Sequence, residues 1–184
     1  MQSVDEVFSA QIEVKKSKFI AFLCPFKDFE NLLSSLKKEH LKAVHFVWSF
    51  RHLNEFHQII EDKSDDFEPK NTAGLPILNV LRGAKLVNVA LIVVRYFGGI
   101  KLGTGGLVKA YSNAANAVLH NAHFSEIKQS VKLSVNLSTY SKYKHFFKKQ
   151  NFDFKSEFKD KDVFITLFLN DTQKENLEIF LKQI

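Results

Sequence analysis

Short runs of alternating hydrophobic and polar residues in the first third of the chain predict strands. Residues 7–26, VFSAQIEVKKSKFIAFLCPF, predict two strands joined by a polar turn at residues 15–17. Residues 28–41 place leucines near helical spacing and predict a helix. Two further strands are predicted at residues 43–51, AVHFVWSFR, and at residues 56–62, FHQIIED. The pattern therefore indicates two pairs of strands separated by a helix.

Longer hydrophobic segments follow. Residues 72–83, TAGLPILNVLRG, suit a short helix that Thr72 caps and Gly83 ends. The nearly continuous valine-rich run at residues 85–97 predicts a central strand buried on both faces. Residues 105–122 place small and aliphatic side chains on one helical face, which suits close packing on a sheet.

The pattern restarts after residues 123–130. A strand, a helix, two strands around the turn KDKD and a final helix are predicted, with Asp171 or Thr172 as the cap of the last helix. This βαββα order is most of a ferredoxin-like unit. We therefore predict an α+β protein of two domains, residues 1–125 and residues 126–184.

Five of the seven glycines lie within residues 95–115, RYFGGIKLGTGGLVKAYSNAA. Glycine allows positive φ or close approach of another group, so this concentration predicts a shaped loop before a helix. N–H groups at a helix start suit a phosphate or carboxylate, and nearby basic side chains would add charge-assisted bonds. Tight helix–sheet packing explains the glycines equally well. The candidate phosphate- or nucleic-acid-binding residues are Lys18, Arg95, Gly98, Gly99, Lys101, Gly103, Thr104, Gly105 and Gly106.

A second candidate site is acidic. Asp65, Asp66 and Glu68 offer hard oxygen ligands for Mg²⁺ or carboxylates for proton transfer, and His45 on a predicted strand is a candidate base or ligand. The alternative is that these acids form a solvated loop or cap neighbouring backbone, and that His45 is half-buried with internal partners. No catalytic residue is assigned and no cofactor is expected; Mg²⁺ belongs to the enzyme alternative.

Composition narrows the class of protein. The 26 basic and 20 acidic residues give a net charge of +6, which permits contact with nucleic acid without requiring it. A single cysteine, Cys24, excludes an internal disulfide and a cysteine-cluster zinc site. No apolar run approaches the roughly 18 residues of a membrane span, and the N-terminus lacks the features of a signal peptide. A cytoplasmic location without a membrane partner is expected.

Three segments carry a resemblance to a known family. KSKFIA at residues 16–21, DDFEPKNTAGLPIL at residues 65–78 and VVRYFGGIKLGTGGLVKAYSNA at residues 93–114 resemble the IMPACT/YigZ family. The resemblance implies a first domain with the fold of the second domain of ribosomal protein S5, and a ferredoxin-like second domain similar to one in elongation factor G. It also implies a link to translation regulation, with nucleic-acid or ribosome binding proposed for family members.

The acidic segment departs from the family pattern at three positions. Phe67 stands where the family has glycine, and Lys70 and Asn71 replace a Ser-Gly pair. Asparagine tolerates positive φ, but phenylalanine does so poorly. Either the loop has a different geometry here, or the family glycine serves close approach instead of positive φ.

Three functional hypotheses follow. The first is an RNA- or ribosome-binding modulator of translation that performs no chemistry of its own. The second is a nucleotide- or phosphate-binding enzyme that combines the glycine loop with the acidic cluster and Mg²⁺. The third is a protein-binding scaffold that uses the phenylalanine-rich second domain. The oligomeric state and the identity of the ligand are left open.

Overall fold

The structure is a computed structural model that describes residues 1–183, and it divides into two compact units. One unit comprises Gln2–Ser125, and the other comprises Met1 together with the chain from Glu126 onward. Each unit contains helices and an antiparallel sheet around its own hydrophobic core. The predicted α+β class with two domains is confirmed.

The larger unit is built on a five-stranded antiparallel sheet in the order β2-β3-β6-β4-β5. Its strands are β1 (Gln2–Ser3), β2 (Phe8–Val14), β3 (Ser17–Pro25), β4 (His45–Leu53), β5 (Ile59–Ser64) and β6 (Val89–Tyr96), and its helices are α1 (Phe29–Glu39), α2 (Gly74–Gly83) and α3 (Gly103–Asn121), with a short 3-10 helix at Phe26–Asp28. All four strands predicted before residue 63 are present, as is the central strand β6.

β6 lies in the middle of the sheet and is buried on both faces, as its valine-rich sequence predicts. Leu91 and Val93 point into the core that also contains residues of α2 and α3. Ala90, Ile92 and Val94 point into the core on the α1 side. Side chains alternate along a strand, so Arg95 lies on the α2/α3 face with Leu91 and Val93.

Two predicted helix caps are wrong. Thr72 does not cap α2; its hydroxyl donates to the Pro69 carbonyl at 2.6 Å, and the Asp65 carboxylate accepts from the first amides of the helix instead. The last helix is capped by Asn170, which forms a capping box with Gln173. In both cases the capping side chain precedes the predicted one in the chain.

The chain passes from the larger unit to the smaller one within the two-residue strand β7 (Ser125–Glu126). The smaller unit then has the predicted βαββα order, with β8 (Gln129–Asn136), α4 (Tyr140–Lys149), β9 (Asp153–Lys159), β10 (Asp162–Leu169) and α5 (Asp171–Leu181). The three longer strands form an antiparallel sheet in the order β8-β10-β9. Phe147, Ile165 and Leu167 lie at the centre of its core. Among the helices described in both units, none is long and apolar enough to cross a membrane.

Candidate functional site

The glycine loop joins the end of β6 to the start of α3, and its glycines have different roles. Gly99 and Gly103 have positive φ, +83° and +73°. Gly98 is instead crowded: a Cβ there would lie 2.0 Å from the carbonyl carbon of Lys16. The Gly98 N–H also donates to the Ser17 hydroxyl at 3.1 Å. The first glycines of the loop therefore shape the backbone and let it pack on the β2–β3 turn.

The N-terminus of α3 is open to solvent. Gly103, Thr104 and Gly105 are exposed, and within residues 1–183 no side chain caps the helix. A Cβ on Gly103 or Gly105 would meet no described atom within 4 Å. The N–H groups of the first helical turn have no intrahelical acceptor, and the helix dipole adds a partial positive charge. Because Lys101 is exposed immediately before this turn, the geometry suits an anion.

Arg95 and Glu68 form a buried ion pair beside the loop. Arg95 is 5% exposed and Glu68 is 8% exposed. Arg95 Nη1 donates to Glu68 Oε1, and the Tyr111 hydroxyl donates to the same oxygen at 2.7 Å. Burial, reinforced by the negative charge of Glu68, raises the pKa of Tyr111, so its phenol stays protonated and can donate. Arg95 Nε is fully buried and has no hydrogen-bond partner in the part of the chain that the structure describes.

His45 connects the acidic segment to this ion pair. Its Nδ1 lies 2.7 Å from the Asp66 carbonyl oxygen, so Nδ1 carries the proton that is donated there. Its Nε2 lies 3.7 Å from Glu68 Oε1. His45 is the first residue of β4 and pairs with Arg95 at the end of β6. It therefore connects the acidic residues 65–68 to the end of β6.

These groups surround a cavity of about 380 Å³. Its polar lining comes from His45, Glu68, Arg95, Lys101 and Thr104, with Gly103 beside them. Its apolar lining comes from Pro69, Phe97, Leu102 and Leu107. Hence the cavity combines positive groups with an apolar wall, as small-molecule sites commonly do.

The structure brings only some of the candidate phosphate-site residues to this cavity. Arg95, Lys101, Gly103 and Thr104 line it, together with His45 and Glu68 from the acidic candidate set. Lys18 does not; it lies opposite Tyr96 in the sheet, with its Nζ 5.5 Å from the centre of that ring. Tyr96 and Lys18 belong to the face opposite Arg95, because neighbours along a strand alternate. The remaining loop glycines, Gly98, Gly99, Gly105 and Gly106, are outside the lining.

The carboxylates of Asp65 and Asp66 are engaged with backbone amides. Asp65 accepts from the N–H groups of Asn71 at 2.8 Å, Ala73 at 3.1 Å and Gly74 at 2.7 Å. Asp66 Oδ2 accepts from the Phe46 N–H at 2.6 Å. Residues 1–183 contain no group of three His, Cys, Asp or Glu side chains placed to hold a metal ion. Asp65 and Asp66 therefore do not converge with Glu68 into an acidic cluster.

Replacing Asp65 by alanine is expected to lower the free energy of unfolding at neutral pH by about 1–2 kcal/mol, because α2 loses its cap. Burial alone would raise the pKa of Asp65, but the three amides outweigh it and hold that pKa below its usual range. The stabilisation is therefore present above the usual carboxyl pKa and is lost as the pH falls through the lowered value. Urea unfolding at several pH values measures the difference, which should shrink in acid. Asp5→Ala, at an exposed position, is the control; an equal loss for both variants contradicts the cap.

Tyr111 and Phe97 are site residues that the sequence reasoning missed. Tyr111 lies on the packed face of α3, within the core. A buried tyrosine needs a partner for its hydroxyl, and that requirement was the available signal. Phe97 carries no comparable signal, because its place depends on the course of the glycine loop.

Comparison with known proteins gives a family model and several relatives. The model described as the Impact N-terminal domain matches residues 15–119. An IMPACT family member of Haemophilus influenzae is 41% identical over 119 residues, covering 63% of this chain and 57% of that protein. The IMPACT family member YigZ of Escherichia coli is 41% identical over 112 residues, covering 58% of this chain and 54% of that protein. The matches thus span little more than half the length of these relatives.

One solved structure resembles nearly the whole chain. It is described as the crystal structure of a hypothetical protein, and it aligns with a TM-score of 0.64 at 26% identity. The alignment covers 99% of this chain and 91% of that one. This likeness supports the α+β fold over both units.

Proposed function

This chain belongs to the IMPACT family, and from that membership we propose that it binds RNA or the ribosome and modulates translation in the cytoplasm, without chemistry of its own. The resemblance noted in the sequence links family members to translation regulation. The curated relatives are longer than the matched segments, so the activity of the whole protein is part of the proposal.

The observation that carries this proposal is the cavity at the start of α3. Three features meet at this cavity: the N-terminus of α3, the exposed Lys101 and the buried Arg95. Among residues 1–183 no side chain caps the helix, and Arg95 Nε has no hydrogen-bond partner. Backbone amides, lysine and arginine are the groups that contact phosphate in nucleic-acid complexes. The net charge of +6 adds a general attraction for RNA.

The alternative of a Mg²⁺-dependent enzyme has less support. Asp65 and Asp66 are already engaged with backbone amides, and Glu68 is engaged with Arg95 and Tyr111. The carboxylates that such an enzyme would use are therefore committed to holding the fold.

Replacing Lys101 by glutamate is expected to weaken RNA binding by about tenfold at low salt and to reduce the salt slope by about one, because one phosphate contact is lost and a repulsion is added. Fluorescence anisotropy with a labelled single-stranded RNA, at a series of salt concentrations, measures both effects. Cosedimentation with ribosomes tests whether the protein binds the ribosome.

Lys37→Glu is the matched control, because Lys37 is exposed on α1, on the opposite face of the sheet from the cavity. It makes the same change in net charge, so equal losses for the two variants would indicate a general charge effect and no site. Absence of binding to both RNA and ribosomes at low salt by the unaltered protein would overturn the proposal itself.

A further inference from the structure

We propose that the cavity at the start of α3 binds a phosphate monoester, the group found at a phosphorylated RNA end, in preference to the phosphodiester groups within a strand. The choice of RNA as the source of that group rests on the proposed function. The choice of the monoester rests on the donors, the volume and the aromatic wall of the cavity.

The donors around the cavity match the oxygens and the charge of a monoester. The first turn of α3 offers N–H groups at Gly103 and Thr104, and Lys101 offers its ammonium group. A monoester presents three terminal oxygens and up to two negative charges, whereas a diester presents two free oxygens and one charge. The cavity therefore has partners for the extra oxygen and the extra charge.

Arg95 gives a second and independent indication that this cavity binds an anion. Its side chain is about nineteen-twentieths buried and lines the cavity, yet its Nε has no partner among residues 1–183. A buried donor without an acceptor costs free energy. An anion bound in this cavity would bring an acceptor next to the Arg95 guanidinium group.

Glu68 does not oppose an anion in this cavity. Its carboxylate accepts from Arg95 and from the protonated Tyr111. The negative charge is therefore balanced within the wall, and the positive groups at Lys101 and the start of α3 are left for a ligand.

The size of the cavity suits the end of a strand. Its volume of about 380 Å³ lies near the lower limit of small-molecule sites and suits one nucleotide unit. Pro69, Leu102 and Leu107 form apolar walls beside the polar groups.

An aromatic side chain stands beside the proposed phosphate position. Phe97 lines the cavity, is 49% exposed, and has its ring centre 5.8 Å from the Arg95 guanidinium carbon. Base–aromatic stacking tolerates any base sequence. Phe97 can thus stack on the terminal base while its phosphate contacts the helix start.

The test compares two single-stranded RNAs of one sequence, both labelled at the 3′ end, with either a 5′-phosphate or a 5′-hydroxyl. Anisotropy titrations at fixed salt are expected to show at least about tenfold tighter binding of the phosphorylated strand. Lys101→Ala should reduce that preference to a factor of about two. Lys109→Ala, which removes an exposed lysine of α3 outside the cavity lining, should leave the preference unchanged.

Competition with adenosine monophosphate and with inorganic phosphate separates the possible sources of the group. Displacement of the RNA by the mononucleotide supports the monoester site. Equal affinity for both strands, or a preference that Lys101→Ala does not change, overturns it while RNA binding stands. Binding of the mononucleotide without any binding of RNA or of ribosomes keeps the monoester site and overturns the proposed function. Binding of neither overturns both.

Discussion

Glu68→Ala is expected to lower the free energy of unfolding by about 3–5 kcal/mol, because it leaves the buried guanidinium of Arg95 without its counter-charge. Arg95 is almost fully buried, so its charge stays largely desolvated when the carboxylate is removed. The Tyr111 hydroxyl loses its acceptor in the same change, which adds a buried unsatisfied donor. Urea or thermal unfolding of the purified protein measures the loss.

Two further variants test whether burial of the ion pair causes this loss of stability. Glu61→Ala removes a carboxylate that also pairs with two arginines, but Glu61 is about a fifth exposed and its partner Arg82 is nearly half exposed. Its other partner, Arg51, is buried but keeps hydrogen bonds to the carbonyls of Leu81 and Leu86. Its loss should cost no more than about 1 kcal/mol, as partly solvated pairs do. The double variant Glu68→Leu with Arg95→Met removes both charges and should recover most of the stability. A loss for Glu68→Ala no larger than that for Glu61→Ala would contradict the buried pair.

Hydrophobic pattern predicted the sheet of the larger unit well, because each strand has the composition that its position requires. The valine-rich run of β6 has no polar face, so it fits only at the centre of a sheet covered on both sides. β2 alternates between half-buried and exposed residues and lies at the edge of the sheet. Strand order and register depend on contacts distant in sequence, and no local pattern encodes them.

The candidate site could be predicted only where its residues are close to each other along the chain. Residues near the glycine loop, such as Arg95 and Lys101, are close to each other along the chain, and they do meet. Lys18 comes from another strand, where a register shifted by one residue would have placed it on the other face. Asp65 and Asp66 are adjacent, yet one caps a helix and the other bonds to β4.

Phe67 illustrates how tertiary contacts override a local preference. It has a φ of +66° although phenylalanine is a poor residue for that region, and its side chain is 97% exposed. Left-handed φ costs a residue with a Cβ about 1–2 kcal/mol. Asp65 and Asp66, bonded on the preceding side, and Glu68, bonded on the following side, hold the turn in place. Positive φ at the position of the family glycine is therefore present here without glycine.

Gly98→Ala is expected to lower the free energy of unfolding by about 3 kcal/mol or more, at the upper end of the cost of overpacking. The added methyl carbon would lie 2.0 Å from the Lys16 carbonyl carbon, 2.2 Å from its oxygen and 2.3 Å from the Ser17 nitrogen. All three atoms are backbone of the β2–β3 turn, so no side-chain rotation can relieve the clash. The turn or the glycine loop must move, and the hydrogen bond from Gly98 to the Ser17 hydroxyl is lost with it.

Gly105→Ala is the matched change within the same loop-to-helix segment. A Cβ at Gly105 meets no described atom within 4 Å, and the residue lies in the first turn of α3. Since alanine favours helix over glycine, this variant should be as stable as the parent or up to about 1 kcal/mol more stable. Thermal unfolding of the two variants side by side separates crowding from a general intolerance of alanine in the segment. If Gly98→Ala unfolds at the same temperature as Gly105→Ala, the close approach of the two loops does not constrain the fold.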